Sequence, residues 1–287
     1  MHYLVAGCGW LGSEVARRLV ARGDRVTALV RTDESARRLR ALGLEAYALD
    51  VTAERAWDVP PSCDGVVSAI AAAGPAVADY RRAYVEATRR MLESEVARNV
   101  PFVYVSSTGV LGRSDGSWVD EATPASPADA NSEVLLAAER LVLEATSLAA
   151  RPIVVRCSGL YGPGRSGVIE RVRSGALAWG AGDDAWMNFS HRDDAATVVI
   201  AALDRGEAGS IYHATDATPS TRHDVVAWIA GRLGVEPGRS DAAGSWPGRS
   251  RPNRRVSGEA TRRELDLSLA YPSFREGLAP LLARGDA

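Results

Sequence analysis

Gly7, Gly9 and Gly12 are spaced Gly-x-Gly-x-x-Gly between an apolar run, Tyr3-Leu4-Val5-Ala6, and a helical pattern carried by Val15, Ala16, Leu19 and Val20. A strand, a glycine turn and a helix in that order can hold a phosphate. The first glycine allows a tight turn, and the second lets a pyrophosphate approach the backbone. The third lets the helix pack close to the strand, so that the helix N-terminal amides face the anion. The context at the start of a βαβ unit predicts a bound dinucleotide.

The next strand ends Leu29-Val30-Arg31-Thr32, with no acid at the turn. An acidic side chain there would bond the ribose hydroxyls of NAD and repel a 2′-phosphate. Arg31 instead offers a charged fork for a phosphate. Arg37 and Arg38 either assist from the following helix or form its solvated face, and Asp33 opposes them. The expectation is NADP(H) in preference to NAD(H).

These residues need a scaffold, and its outline is legible. Strands are predicted over 3–6, 25–30, 45–49, 65–70, 102–105 and 153–156. Helices are predicted over 13–22, 34–42, 78–99 and 131–149. Apolar, β-branched runs between amphipathic helices predict an α/β fold with a parallel sheet covered on both faces. The second half is less regular, with helices over 168–174, 192–203 and 222–233 and a strand over 210–213. Residues 236–255 read as a Gly/Pro/Ser/Arg-rich loop carrying Arg239, Arg249, Arg251, Arg254 and Arg255, either solvated or a flap over an anionic ligand.

Composition sets limits. The chain has 287 residues, 46% of them hydrophobic, enough for one large domain or two lobes. A net charge of −2 argues against a nucleic-acid or acidic-membrane surface, and no run is long enough to span a bilayer. All 34 basic residues are arginines. The absence of lysine excludes a Schiff base and a Walker-type phosphate lysine. Cys8, Cys63 and Cys157 fit neither a disulfide framework nor a zinc site, so no metal is expected, and a reduced cytoplasmic setting is.

Several segments then fall into a familiar order. After Gly7–Gly12 come Asp50-Val51, Val105-Ser106-Ser107-Thr108-Gly109 and Ser158-Gly159-Leu160-Tyr161-Gly162-Pro163-Gly164. Ser190-His191-Arg192-Asp193-Asp194 and Tyr271-Pro272-Ser273-Phe274 follow. The chain resembles the extended or atypical short-chain dehydrogenase/reductases, the NAD-dependent epimerase/dehydratase family. The resemblance implies a Rossmann doubly wound sheet over 1–156. It implies a smaller C-terminal substrate lobe over 157–287, with some segments returning to the core. It implies that Gly7, Gly9, Trp10, Leu11 and Gly12 cradle the pyrophosphate, that Asp50 and Val51 meet the adenine, and that Ala69 to Ala71 line the ribose and nicotinamide. Tyr161 would sit where the lobe meets the nicotinamide, and His191 and Asp194 would support the lobe junction. A homodimer through the helices over 78–99 and 131–149 is also implied.

The departure from the family lies in its catalytic pair. Such enzymes use a Ser/Thr, then a Tyr and a Lys four residues apart. Ser107 matches the first, whereas Asn131 stands at the Tyr position and Leu135 at the Lys position. An amide does not donate a proton as a phenol does. Ser107, Thr108, Asn131 and Tyr161 are the candidate catalytic residues, with Tyr161 the first candidate acid and Glu133, His191 and Tyr84 weaker ones. The expected function is NADP(H)-dependent reduction of a small organic molecule with a non-standard proton donor. A dinucleotide-binding sensor or scaffold, or an isomerase, lyase or cyclase on the same fold, are the alternatives.

Overall fold

The computed structural model describes residues 1–53, 62–179, 185–238 and 253–284. Arg239, Arg249 and Arg251 of the predicted loop, and Trp246 within it, lie outside the described residues.

The first half alternates strands and helices: β1 (His2–Ala6), α1 (Trp10–Ala21), β2 (Arg25–Val30), α2 (Asp33–Ala41), β3 (Glu45–Ala48) and β4 (Gly65–Ser68). A long helical segment follows in three parts, α3 (Val77–Tyr80), a π-helical stretch (Arg81–Glu86) and α4 (Ala87–Glu93). Then come β5 (Pro101–Ser107), β6 (Trp118–Val119), α5 (Ala130–Leu143) and β7 (Arg151–Cys157). The second half holds β8 (Gly159–Tyr161), α6 (Gly167–Arg173), β9 (Trp186–Met187), β10 (Phe189–His191), α7 (Arg192–Arg205) and β11 (Ile211–Ala214). It closes with β12 (Ser220–Thr221), α8 (Arg222–Leu233), β13 (Arg255–Val256), α9 (Glu259–Glu264) and α10 (Phe274–Arg284).

Among the described residues, seven strands form one parallel sheet in the order β11-β7-β5-β4-β1-β2-β3. The apolar strand residues alternate between two buried faces, and each face has its own helices. Val15, Ala16 and Leu19 of α1, Leu39 of α2 and Ala195 to Leu203 of α7 cover one face. Met91 and Leu92 of α4 with Ala138 and Val142 of α5 cover the other. This is a doubly wound Rossmann-type arrangement.

The chain leaves β1 in one direction along the sheet, to β2 and β3, and returns to its other side as β4. The strand order therefore reverses between β1 and β4, and a ligand crevice is expected beyond the carboxyl ends of those strands. A separate apolar cluster of Tyr161, Ile169, Phe189, Val225, Ile229, Phe274 and Leu278 joins β8, β10, α6, α8 and α10 beside the sheet. Two-residue pairings, β6 with β13 and β9 with β12, fasten this part together. The two-residue strands carry too little periodicity to be anticipated from sequence.

Candidate active site

The glycine turn is built as its spacing requires. Gly7 holds a φ of 77°, and a Cβ there would lie 2.4 Å from the amide nitrogen of Ile70, in the loop after β4. A Cβ on Gly12 would lie 2.5 Å from the Gly7 carbonyl oxygen. At Gly9, by contrast, a Cβ would meet nothing nearer than the Gly7 carbonyl oxygen at 3.9 Å. Two glycines thus serve packing, and the middle one leaves room at the surface of the crevice. Helix α1 begins here with no side-chain cap and no acidic residue in its first turn. Its N-terminal amides remain available to an anion.

The crevice is a cleft of about 890 Å³. Gly7, Gly9, Trp10, Leu11, Arg31, Asp50, Val51, Ala69 and Ala71 all line it, as do Ser107 and Leu135. Gly12 serves through its contact with Gly7. Because β2, β1, β4 and β5 are successive in the sheet, the cleft crosses four strand ends, from Arg31 to Ser107. Arg31 is exposed on its rim, next to the Thr32 hydroxyl that caps α2 by accepting from the Ser35 amide. The Asp50 carboxylate accepts from the Thr52 hydroxyl at 2.6 Å and from Arg82 at 2.7 Å. The Thr52 bonds, with Arg82, hold its pKa below the ordinary value, so it is ionised and fixed in direction.

Trp10 ties the glycine turn to the segment after β8. Its indole N–H donates to the Pro163 carbonyl at 2.9 Å, and Arg165 and Arg192 stack over the ring at 5.3 and 5.4 Å. Arg165 also lines the cleft.

The proposed chemical end is assembled by β5 and α5. The Ser107 hydroxyl accepts from the Gly109 amide at 3.1 Å, which leaves its own proton free to donate. Behind it Ser106 donates to Glu139 at 2.6 Å, and Glu139 receives the Arg156 guanidinium at 2.7 Å, with both charged groups buried. This pair anchors α5 to β5 and β7 beneath Ser107.

Three of the four main catalytic candidates lie outside the lining of the cleft. Asn131 is buried, its amide N–H₂ donating to the Pro75 carbonyl at 3.0 Å. Its Oδ1 has no partner among the described residues. Thr108 is buried in the turn after Ser107. Tyr161, the first candidate acid, does not line the cleft. Its ring is buried edge-on to Phe189 and His191, at 5.8 and 5.3 Å between centroids. Its hydroxyl abuts Gly277 so closely that no Cβ would fit there. Burial, reinforced by the Asp216, Asp194 and Glu276 carboxyl groups, pushes the phenol pKa well above its ordinary value. Glu133 is exposed on α5, outside the lining.

The phenols that do line the cleft are Tyr80 and Tyr84, with rings 5.2 Å apart at the start and within the π-helical stretch. The Tyr84 oxygen accepts from the Ala72 amide at 3.4 Å. Both rings pack with the cluster that contains Leu135 and Leu111. A π-helical stretch at a cleft often marks a functional position, and this is the one local sign that could have raised Tyr84 above Tyr161. Elsewhere, His191 caps α7 by accepting from the Asp193 amide. Asp194 accepts from the Ala270 and Tyr271 amides at 2.9 Å, tying the C-terminal segment to α7. Among the described residues, no helix is long and apolar enough to cross a membrane, and no group of His, Cys, Asp and Glu could hold a metal.

Known proteins resemble this chain. The model of the NAD dependent epimerase/dehydratase family matches residues 3–215. A 3-diazoavenalumate denitrifying reductase from a Streptomyces species is 28% identical, over 97% of this chain and 99% of that protein. A 4-hydroxy-2-methyl-3-oxo-4-farnesyl-3,4-dihydroquinoline-1-oxide ketoreductase from Stigmatella aurantiaca is 29% identical, over 76% of this chain and 68% of that one. A dTDP-glucose 4,6-dehydratase from Streptomyces venezuelae has the same fold at 20% identity. Its TM-score is 0.80, with 99% of this chain and 96% of that one covered.

Proposed function

Because the chain belongs to the NAD dependent epimerase/dehydratase family, we propose that it is an NADP(H)-dependent reductase of a small organic carbonyl, imine or conjugated acceptor. The observation that carries this reading is the open cleft from Arg31 across the glycine turn to Ser107. A sensor or scaffold needs no such opening beyond the glycine turn. The two relatives with reductase and ketoreductase names accord with net reduction.

The residues present fit a dinucleotide. Gly9 leaves space, the uncapped start of α1 offers amides, and Arg31 stands where a 2′-phosphate would need a cation. The nicotinamide, when bound, supplies the hydride. The chain must then orient the substrate and deliver a proton. Ser107, whose oxygen already accepts from Gly109, directs its O–H toward the substrate heteroatom. With no lysine anywhere in the chain, the usual activation of a tyrosine by lysine is absent.

Tyr84 takes the acid role. Its oxygen receives the Ala72 N–H, so its own proton points elsewhere, and its ring packs against the apolar cluster that holds Leu135, the residue at the lysine position. Burial raises its pKa above the ordinary 10.0, so the phenol stays protonated at neutral pH and can act as a donor. Tyr84→Phe keeps the ring and removes the proton. The expected result is a fall in kcat of about 10²-fold or more, as for loss of a general acid, with dinucleotide affinity unchanged. For the same reason wild-type activity should persist through neutral pH and fall only above about pH 10, as the raised phenol ionises. NADPH oxidation with a panel of ketones, imines and enones measures both, and an unchanged kcat would remove Tyr84 from the role.

A further inference from the structure

Arg254 is a buried cation with no anionic partner among the described residues. It is 7% exposed, yet the group it bonds is a neutral one, the Thr108 carbonyl oxygen, at 2.7 Å from Nη2. Its Nε is buried with no hydrogen-bond partner among the described residues. Burial alone pulls its pKa down to about 10, with no carboxylate to offset it. The same fold pairs another deeply buried arginine, Arg156, with the Glu139 carboxylate, its Nε and Nη2 donating side by side to the two carboxylate oxygens. Holding one backbone carbonyl requires only a neutral donor. Burying a full charge for that purpose is costly unless an anion arrives to share the site.

The position of Arg254 is prepared. Asn188 grips the chain just after it, donating to the Arg254 carbonyl at 2.9 Å and accepting from the Val256 amide at 2.7 Å. Asn253 accepts from the Trp186 amide at 3.0 Å. Its neighbour Arg255 is held elsewhere, between the Trp118 and Trp186 rings at 5.1 and 5.0 Å. Thr108, which Arg254 grips, directly follows the cleft-lining Ser107.

We propose that Arg254 is the anion subsite of this enzyme, and that its substrate is a small carboxylic acid whose carboxylate docks on the free edge of this guanidinium. A single guanidinium matches a monoanion with two oxygens, whereas a phosphate dianion would leave a buried charge uncompensated. This assignment rests on the reductase reading for the reaction and goes beyond it in naming the substrate class.

The test uses the full chain loaded with NADP(H). Binding of benzoate, pyruvate and acetate is followed by tryptophan fluorescence and calorimetry, beside the corresponding methyl esters and amides. Turnover of 2-oxo acids is compared with that of their esters. The wild type should prefer the acids by about 30-fold or more, the usual loss when a buried charge pair is broken. Arg254→Gln keeps a donor for Thr108, so the fold is retained. It should abolish that preference with dinucleotide affinity unchanged, and Arg254→Lys should restore part of it. Equal binding of acids and esters by the wild type, or an undiminished preference in Arg254→Gln, would overturn the assignment. Acid-selective binding lost in Arg254→Gln without turnover of any substrate would uphold the subsite and count against the reductase reading instead.

Discussion

At the scale of the residue, the proposed preference for NADP(H) comes down to one side chain at the end of β2. Arg31 stands on the cleft rim without an acidic rival at the turn, and Asp50 further along is occupied by Thr52 and Arg82. Arg31→Ser should therefore weaken NADPH binding by roughly 10- to 100-fold, the worth of a charge-assisted hydrogen bond, and leave NADH binding nearly unchanged. Fluorescence titration of the two reduced dinucleotides reads this directly, and equal loss for both would place the 2′-phosphate elsewhere. The glycine turn was legible in the sequence because its geometry is local. The surroundings of Asn131 and Tyr161 were not. The Asn131 amide is spent on Pro75, 56 residues away, and the Tyr161 hydroxyl is enclosed against Gly277, more than a hundred residues on. No spacing rule reports such contacts.

At the scale of the element, α5 has a double duty. One side carries Leu135 to the cleft, and the other buries Glu139 against Ser106 and Arg156. Glu139→Gln would leave the Arg156 charge buried and uncompensated, which costs about 3–5 kcal/mol. Thermal denaturation should show a fall on the order of 10 °C for a chain of this size. A loss below about 1 kcal/mol would mean that water already compensates the arginine. The strands and helices of the sheet were legible from apolar runs alternating with helical periodicity, to within a few residues. The helix expected over 78–99 instead contains the π-helical stretch Arg81–Glu86 and ends as α4 at Glu93. The helix expected over 131–149 stops at Leu143. The short strands β6, β8, β9, β10, β12 and β13 exist through tertiary pairing that leaves little periodic trace.

At the scale of the whole molecule, the parallel sheet sets the cleft at its topological switch point, and the segments after β7 close in from the far side. Trp10 bonding Pro163, and Arg254 bonding Thr108, are two of the ties across that division. On the proposed reading, the dinucleotide and the substrate meet where β5 ends, with Ser107 and Tyr84 lining the cleft there. A bound nicotinamide dinucleotide is the claim on which the rest depends. The measurement that tests it most directly is a calorimetric titration of the protein with NADPH, NADH, NADP⁺ and NAD⁺. Micromolar or tighter binding, with NADPH and NADP⁺ ahead of their counterparts by about tenfold or more, is the predicted result. Binding of none of the four would contradict it.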